Sequence, residues 1–414
     1  MVVGYPMRIN IEARPADIEA AVDWVSGLVG AAVDKRITAL EQQEAANPLL
    51  SIHYRETFAL EFALAKARRY RRTTGRLPRG DEYFPLYSFL LPARRIHAAL
   101  PPESQKPYEG RLRDAVNGTF GARPFAYEIS IATHFMRQGW DVEFLDYACA
   151  ARFDLLARLG SVEVEVECKT TSGDTGRKIH RQEANRLAQL LLPTTQKLTE
   201  IPGCHRILIV VPDRLGKSNE ELGDIAATVA TAVHQRGEAT NRLARVEYVF
   251  DGLDLWPDPS DAPADAISFF EKRFGKQNAN VMFHGRSGFS VVAVMIVSSK
   301  ADSVIDAISE EAKKAAGQCS GSRPALLALH LIDEVNRADL EGMLRSANGM
   351  HQITHAVLRA ETRRHVDTVA FTFPQARRTD GVGAAWLSGN LISLYNPAPL
   401  YPCAEIRSVF RPSA

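Results

Sequence analysis

The stretch 162-VEVEVECKTT-171 alternates with a period of two. On a β-strand successive side chains point to opposite faces, so Glu163, Glu165, Glu167 and Lys169 share one side. The other side carries Val162, Val164, Val166 and Cys168, which suit burial. The charged side is either a solvated sheet face or an active site, and the neighbouring residues decide between them.

Asp154 lies in "RFDLLA", an apolar strand candidate where a carboxylate is out of place, and Glu167 follows thirteen residues later. The turn at Gly160-Ser161 lets the two strands form a hairpin, so Asp154 and Glu167 can approach across adjacent strands. Two neighbouring carboxylates repel and raise each other's pKa unless a cation sits between them. A hard divalent ion such as Mg²⁺ suits an all-oxygen site and keeps several of its waters. Lys169, on the face of Glu167, would stand beside that ion, where it could orient or deprotonate a water or stabilise charge on a phosphate. This is equipment for phosphodiester hydrolysis.

The segment "FDLLARLGSVEVEVECKT" resembles the core of the PD-(D/E)xK, or restriction-endonuclease-like, nuclease superfamily: an Asp on one strand, then Glu-x-Lys on the next. The motif falls on Asp154, Glu167 and Lys169, with Phe153 where many members have proline. The resemblance spans roughly residues 121 to 212, and it implies a metal-dependent nuclease on a mixed sheet flanked by helices. It implies that Asp154 and Glu167 bind the metal with the backbone carbonyl of Cys168, and that Lys169 activates the water. The acid often found on the preceding helix is matched by Glu128 in "FAYEIS", and the polar residue of the following helix by Arg181 or Gln182 in "IHRQEANR". Mg²⁺ is the expected metal, with Mn²⁺ as a substitute.

The rest of the chain sets the context. Its 414 residues exceed one ordinary core, and 45% hydrophobic with 24% charged residues is a soluble globular composition. The longest apolar run, "VVAVMIV" from Val291, is far short of a bilayer span, so no membrane is expected. The opening residues show no basic head followed by an apolar block, and five scattered cysteines form no C-x-x-C. Both point to a cytoplasmic protein. The fold class expected is α/β, in three parts. Residues 1–120 form a mainly helical region, 121–250 a restriction-endonuclease-like core, and 267–414 a C-terminal α/β module, with the acidic, proline-bearing stretch 251–266 as linker. "HRILIVVPD" is read as a buried strand of the core. Helices are expected near 301–316 and 337–347, and strands in "FSVVAVMIVSS", "SRPALLALHLID", "HVDTVAFTF" and "AAWLSGNLISLYN".

From Lys66 to Arg113 there are 12 Lys and Arg against 4 acids, with Tyr70, Tyr83, Phe84, Tyr87 and Phe89 interleaved and prolines expected to break the zone into short pieces. Clustered arginines neutralise phosphates and aromatics stack on bases, so Arg69 and Arg72, which share a helix face, are candidate nucleic-acid contacts. Arg177 and Lys178 of the loop after the charged strand, with Arg181 and Gln182, are a second set. Three other patterns carry bland readings. Glu311-Ala312-Lys313 repeats Glu-x-Lys with helical context, as a solvated helix face. Gly216-Lys217-Ser218 lacks the first glycine of a phosphate-binding loop, and His351 and His355 have Gln352 where a zinc-site acid would stand. The function expected is a nuclease acting on nucleic acid, DNA ahead of RNA, and by analogy in restriction or anti-phage defence. The alternative is a catalytically inactive nucleic-acid-binding or regulatory protein on the same fold. A homo-oligomer is left open.

Overall fold

A computed structural model describes residues 5–118, 120–145, 152–172, 174–252, 263–275, 280–286, 288–331, 349–358, 360–372 and 391–409. Expectations for 337–347, for most of the 251–266 linker and for the start of "AAWLSGNLISLYN" lie outside these residues. The chain opens with α1 (Pro15–Val29), α2 (Ala32–Ala46), α3 (Ser51–Thr57), α4 (Ala59–Thr74), α5 (Phe84–Ala99), α6 (Pro102–Asn117) and α7 (Arg123–Arg137). Prolines do not break the basic zone as expected. Pro85 and Pro102 occupy first turns, where no intrahelical N–H bond is lost, and α5 and α6 accommodate the interior Pro92 and Pro107. Amphipathic packing outweighs the local propensity: Leu86, Phe89, Leu90, Ala93 and Ile96 of α5 are all buried.

The site lies on a six-stranded mixed sheet in the order β1-β2-β3-β9-β10-β11. Strands β1 (Asp141–Phe144), β2 (Leu155–Leu159) and β3 (Val162–Thr171) form an antiparallel meander. Gly160, at φ +61°, makes the β2–β3 turn. Strand β9 (Ala325–Leu331) then lies parallel to β3, β10 (Val366–Thr372) parallel to β9, and β11 (Leu391–Tyr395) antiparallel at the edge. Val164, Val166 and Cys168 pack into one core with Phe125, Ile129 and Ala132 of α7 and with helices α1, α4, α5 and α6. The helical region and the sheet therefore share a core. The opposite face buries Leu327, Leu329, Val369 and Phe371 beneath α11 (Val304–Gln318) and the helix Gly349–Leu358.

The expectation that "HRILIVVPD" completes this sheet is overturned. It forms β4 (Gly203–Val211), which belongs to a second, five-stranded sheet ordered β5-β6-β4-β8-β7. The other strands are β5 (Glu238–Thr240), β6 (Arg245–Asp251), β7 (Asn280–Arg286) and β8 (Ser290–Ser298). Helices α8 (Arg181–Leu198) and α9 (Asn219–Gln235) cover one face and α10 (Pro263–Phe274) the other. The whole second sheet is inserted between β3 and β9. Its entry and exit meet where Ser303 N–H donates to Gly176 O at 2.8 Å. A continuous Ile/Leu/Val run fits any central parallel strand, so its sequence carries no choice of sheet. No helix of the described residues is long and apolar enough to cross a membrane.

Gly176 has φ +72°, and a Cβ there would lie 2.6 Å from Ser303 O and Val304 Cα. Gly160 has a similar φ but open space around it. Gly176→Ala is therefore expected to cost about 3 kcal/mol in urea unfolding, against about 1 kcal/mol for Gly160→Ala. Equal losses at the two positions would show that the junction does not close at Gly176.

Candidate active site

The charged face of β3 divides into two halves with different tasks. Glu163 is held by Arg158 Nε at 2.9 Å and by Arg323 Nη1 at 2.7 Å, and Arg158 also pairs with Glu143 on β1. Glu165 is fully buried and accepts from Ser320 N–H at 2.7 Å and from the Ser320 hydroxyl, with Arg323 Nε at 3.4 Å. These two carboxylates bind the turn between α11 and β9.

Glu167 is different. It is 0% exposed, yet neither of its carboxylate oxygens has a hydrogen bond of normal geometry. Lys169 Nζ stands 2.6 Å from Oε1 as an ion pair. The β2–β3 register ends at Leu155↔Val166, and one further step places Asp154 opposite Glu167. Asp154 Oδ2 accepts the Cys168 N–H at 2.7 Å, which fixes that carboxylate against the strand at the point where Glu-x-Lys begins. Burial raises the Asp154 pKa, opposed by the Cys168 N–H, Arg111 and Lys169. Burial and then Asp154 push Glu167 up to about 7, with Lys169 opposing. Burial works against the Lys169 charge, but Glu167 and Asp154 outweigh it, so its pKa is raised. Lys169 is consequently an ammonium at neutral pH, suited to donating and to stabilising negative charge rather than to removing a proton.

Glu128 reaches the same cluster from α7. Its pKa is raised to about 8, first by burial and then by Asp154, while Arg111 opposes. Arg111 Nη2 on α6 lies 2.7 Å from both Glu128 oxygens. The α6–α7 junction that sets this contact is pinned. Glu61 Oε1 accepts from Ala122 N at 2.6 Å at the start of α7, and Arg36 donates to the carbonyls of Val116 and Gly118. Arg111 was not anticipated from the sequence. The available signal was weak: α6 buries Ser104, Tyr108, Leu112 and Val116, and Arg111 sits beside that stripe. Asp154, Glu167, Lys169 and Glu128 are thus brought into one electrostatic cluster. Among the described residues, no three His, Cys, Asp or Glu side chains are gathered closely enough to form a metal shell by themselves.

The nucleic-acid candidates are dispersed. Arg69 is engaged by Glu41 at 2.8 and 2.9 Å, Arg68 by Asp34 and Arg71 by Asp23, so much of this basic run is internally neutralised. Arg72 is exposed. Arg177 is buried, Lys178 Nζ lies 3.4 Å from Asp213, Arg181 is half-buried and Gln182 is exposed. The other Glu-x-Lys lies in α11, where Lys314 pairs with Glu311 and Lys313 with Glu310 along the helix, as expected of a solvated face. Ser218 caps α9 by accepting from Glu221 N–H, a structural use of the Gly-Lys-Ser segment. His355 is exposed on the helix Gly349–Leu358, and the side chain of His351 lies outside the described residues.

No family model matches the chain, and neither a curated protein nor a solved structure is significantly similar to it.

Because Glu167 and Glu128 carry folded-state pKa values of about 7 and about 8 against 4.5 for a free carboxyl, both are neutral in the fold where the unfolded chain is already ionised. Stability of the metal-free protein is expected to fall as pH rises from about 4.5 to about 8 and to level off above. Glu167→Gln should raise stability at pH 8 by roughly 2 kcal/mol and leave pH 4 unchanged, read by denaturant unfolding at each pH. A pH-independent difference would place Glu167 in a solvated setting.

Proposed function

We propose that this protein is a metal-dependent nuclease that hydrolyses phosphodiester bonds, with DNA ahead of RNA as substrate. The observation that carries the proposal is Asp154, just before β2, held against β3 by the Cys168 N–H at 2.7 Å, with the Lys169 ammonium 2.6 Å from the adjoining Glu167. The mixed sheet flanked by helices supports a restriction-endonuclease-like core.

The cluster fits a divalent cation. Glu167 is fully buried with the Lys169 ammonium 2.6 Å from Oε1, and the charge of Asp154 raises the pKa of both Glu167 and Glu128, which an added positive charge would relieve. Asp154 and Glu167, with the Cys168 carbonyl, would hold Mg²⁺ or Mn²⁺ and Glu128 would assist. Two or three protein oxygens suffice for an ion that keeps its waters. Such an ion supplies Lewis-acid polarisation and a more acidic water when bound. The chain's own residues do the rest. Asp154, fixed by the Cys168 N–H, orients the site against β3, and Lys169 orients a nucleophilic water and stabilises charge developing on the phosphate.

Nucleic acid would be held by exposed residues, Arg72 and Gln182 among them, with Lys178 and Arg181 beside the loop that follows β3. Arg177 would have to leave its buried position to join them, and Arg69 its Glu41 partner.

Incubation of plasmid DNA and of RNA with the full chain, with and without Mg²⁺ or Mn²⁺, is expected to give metal-dependent cleavage. Lys169→Ala and Asp154→Asn should each reduce it at least about 100-fold without loss of fold. Binding without cleavage by the unaltered chain would favour the regulatory alternative, and unchanged cleavage by both variants would overturn the assignment. In a separate salt titration of duplex DNA binding, Arg72→Ala is expected to reduce the log–log slope by about 0.9, the amount that one neutralised phosphate contributes on B-form DNA. Arg69→Ala should leave that slope unchanged, because its charge is already met by Glu41.

A further inference from the structure

Three carboxyls (Glu128, Asp154, Glu167) and two cations (Arg111, Lys169) make up the cluster, and each carboxyl has a different keeper. Lys169 Nζ faces Glu167 at 2.6 Å, the Cys168 N–H holds Asp154 at 2.7 Å, and Arg111 Nη2 spans both oxygens of Glu128 at 2.7 Å. Glu128 has only 12% of its side chain exposed, so its carboxyl has little water to turn to and depends on a protein partner. The Arg111 guanidinium, 30% exposed and 5.8 Å from the Phe125 ring, supplies it.

We propose that Arg111 is a positioning residue that acts as an internal counter-ion: it holds Glu128 in the metal-free protein and competes with the divalent cation for that carboxylate. The inference rests on the nuclease reading above. Both oxygens of Glu128 are engaged by one nitrogen, so a second cation cannot approach the same lone pairs closely while Arg111 stays. Coulomb repulsion between a guanidinium and a dication a few ångströms apart opposes joint occupancy. Arg111 must release Glu128 before that carboxylate can turn to Asp154 and Glu167. The device keeps the cluster from standing uncompensated when empty, and it lowers metal affinity in return.

The sign of the effect separates this role from a merely structural one, because damage to the site weakens metal binding whereas removal of a competitor strengthens it. Mn²⁺ affinity of the full chain, measured by calorimetry or by electron paramagnetic resonance, is expected to be roughly tenfold tighter in Arg111→Ala and in Arg111→Gln. Arg111→Lys, which keeps the charge, should remain close to the unaltered protein. In a Glu128→Gln background the Arg111→Ala gain should vanish. Thermal melts in chelator should show Arg111→Ala less stable than the unaltered chain, and Mn²⁺ should raise its melting temperature by more. If the unaltered protein binds Mn²⁺ and both neutral variants bind it equally or more weakly, the competition is overturned while the nuclease reading stands. If neither the unaltered chain nor any variant binds Mn²⁺, the nuclease reading falls and the inference with it.

Discussion

Strand β3 is buried on both faces, and a charged residue on a buried face must find a partner or lose its charge. That constraint organises the molecule. Val164, Val166 and Cys168 satisfy the α7 side by packing, whereas the opposite side carries Glu163, Glu165, Glu167 and Lys169, of which Glu165 and Glu167 are fully buried. Arg158 and Arg323 meet Glu163, and the Ser320 backbone with Arg323 meets Glu165, so the turn leading into β9 is drawn to β3 by charge as well as by sheet pairing. Glu167 is fully buried with the Lys169 ammonium 2.6 Å away. Burying a charged pair is costly, and such costs concentrate where a protein binds or reacts.

Much of this was legible in the alternation. The period of two fixed which residues share a face, Gly160 fixed the turn, and together they placed Asp154 opposite Glu167. What sequence could not supply was the long-range pairing. The parallel neighbour of β3 is "ALLALHL" from Ala325, and nothing local distinguishes that run from the Ile/Leu/Val run of β4. The ion pairs within the basic zone were hidden for the same reason. Arg68, Arg69 and Arg71 look like a cationic cluster until α1 and α2 bring Asp34, Glu41 and Asp23 against them. Arg111 was hidden because its meaning depends on a carboxylate from another helix.

The site is also assembled from both layers of the fold. Glu167 and Lys169 lie on β3 and Asp154 immediately precedes β2, while Glu128 and Arg111 come from two helices joined at one junction. Glu61 of α4, accepting from Ala122 N–H at the start of α7, and Arg36 of α2, donating to carbonyls at the end of α6, tie that junction down, and Gly121, at φ +67°, has room for no Cβ, since Thr57 O would lie 2.8 Å away. The helical region is therefore part of the site's scaffold and not an appendage to it.

The meeting of Gly176 with Ser303 has a consequence for how the chain reaches this structure. Those residues are 127 positions apart, and Glu165 and Ser320, which must also meet, are 155 apart. Closing so long a loop from an unfolded chain is entropically unfavourable and slow, and the loss is repaid only after β9 pairs with β3. The intervening segment builds its own five-stranded sheet, with β4 and β8 parallel at its centre and helices on both faces. If that sheet forms first, it delivers Gly176 and Ser303 to each other already close, and the remaining search is over a few residues instead of more than a hundred. The order of assembly that this geometry favours is from the inside of the sequence outward, with β3 waiting for its parallel partner until the inserted sheet has closed.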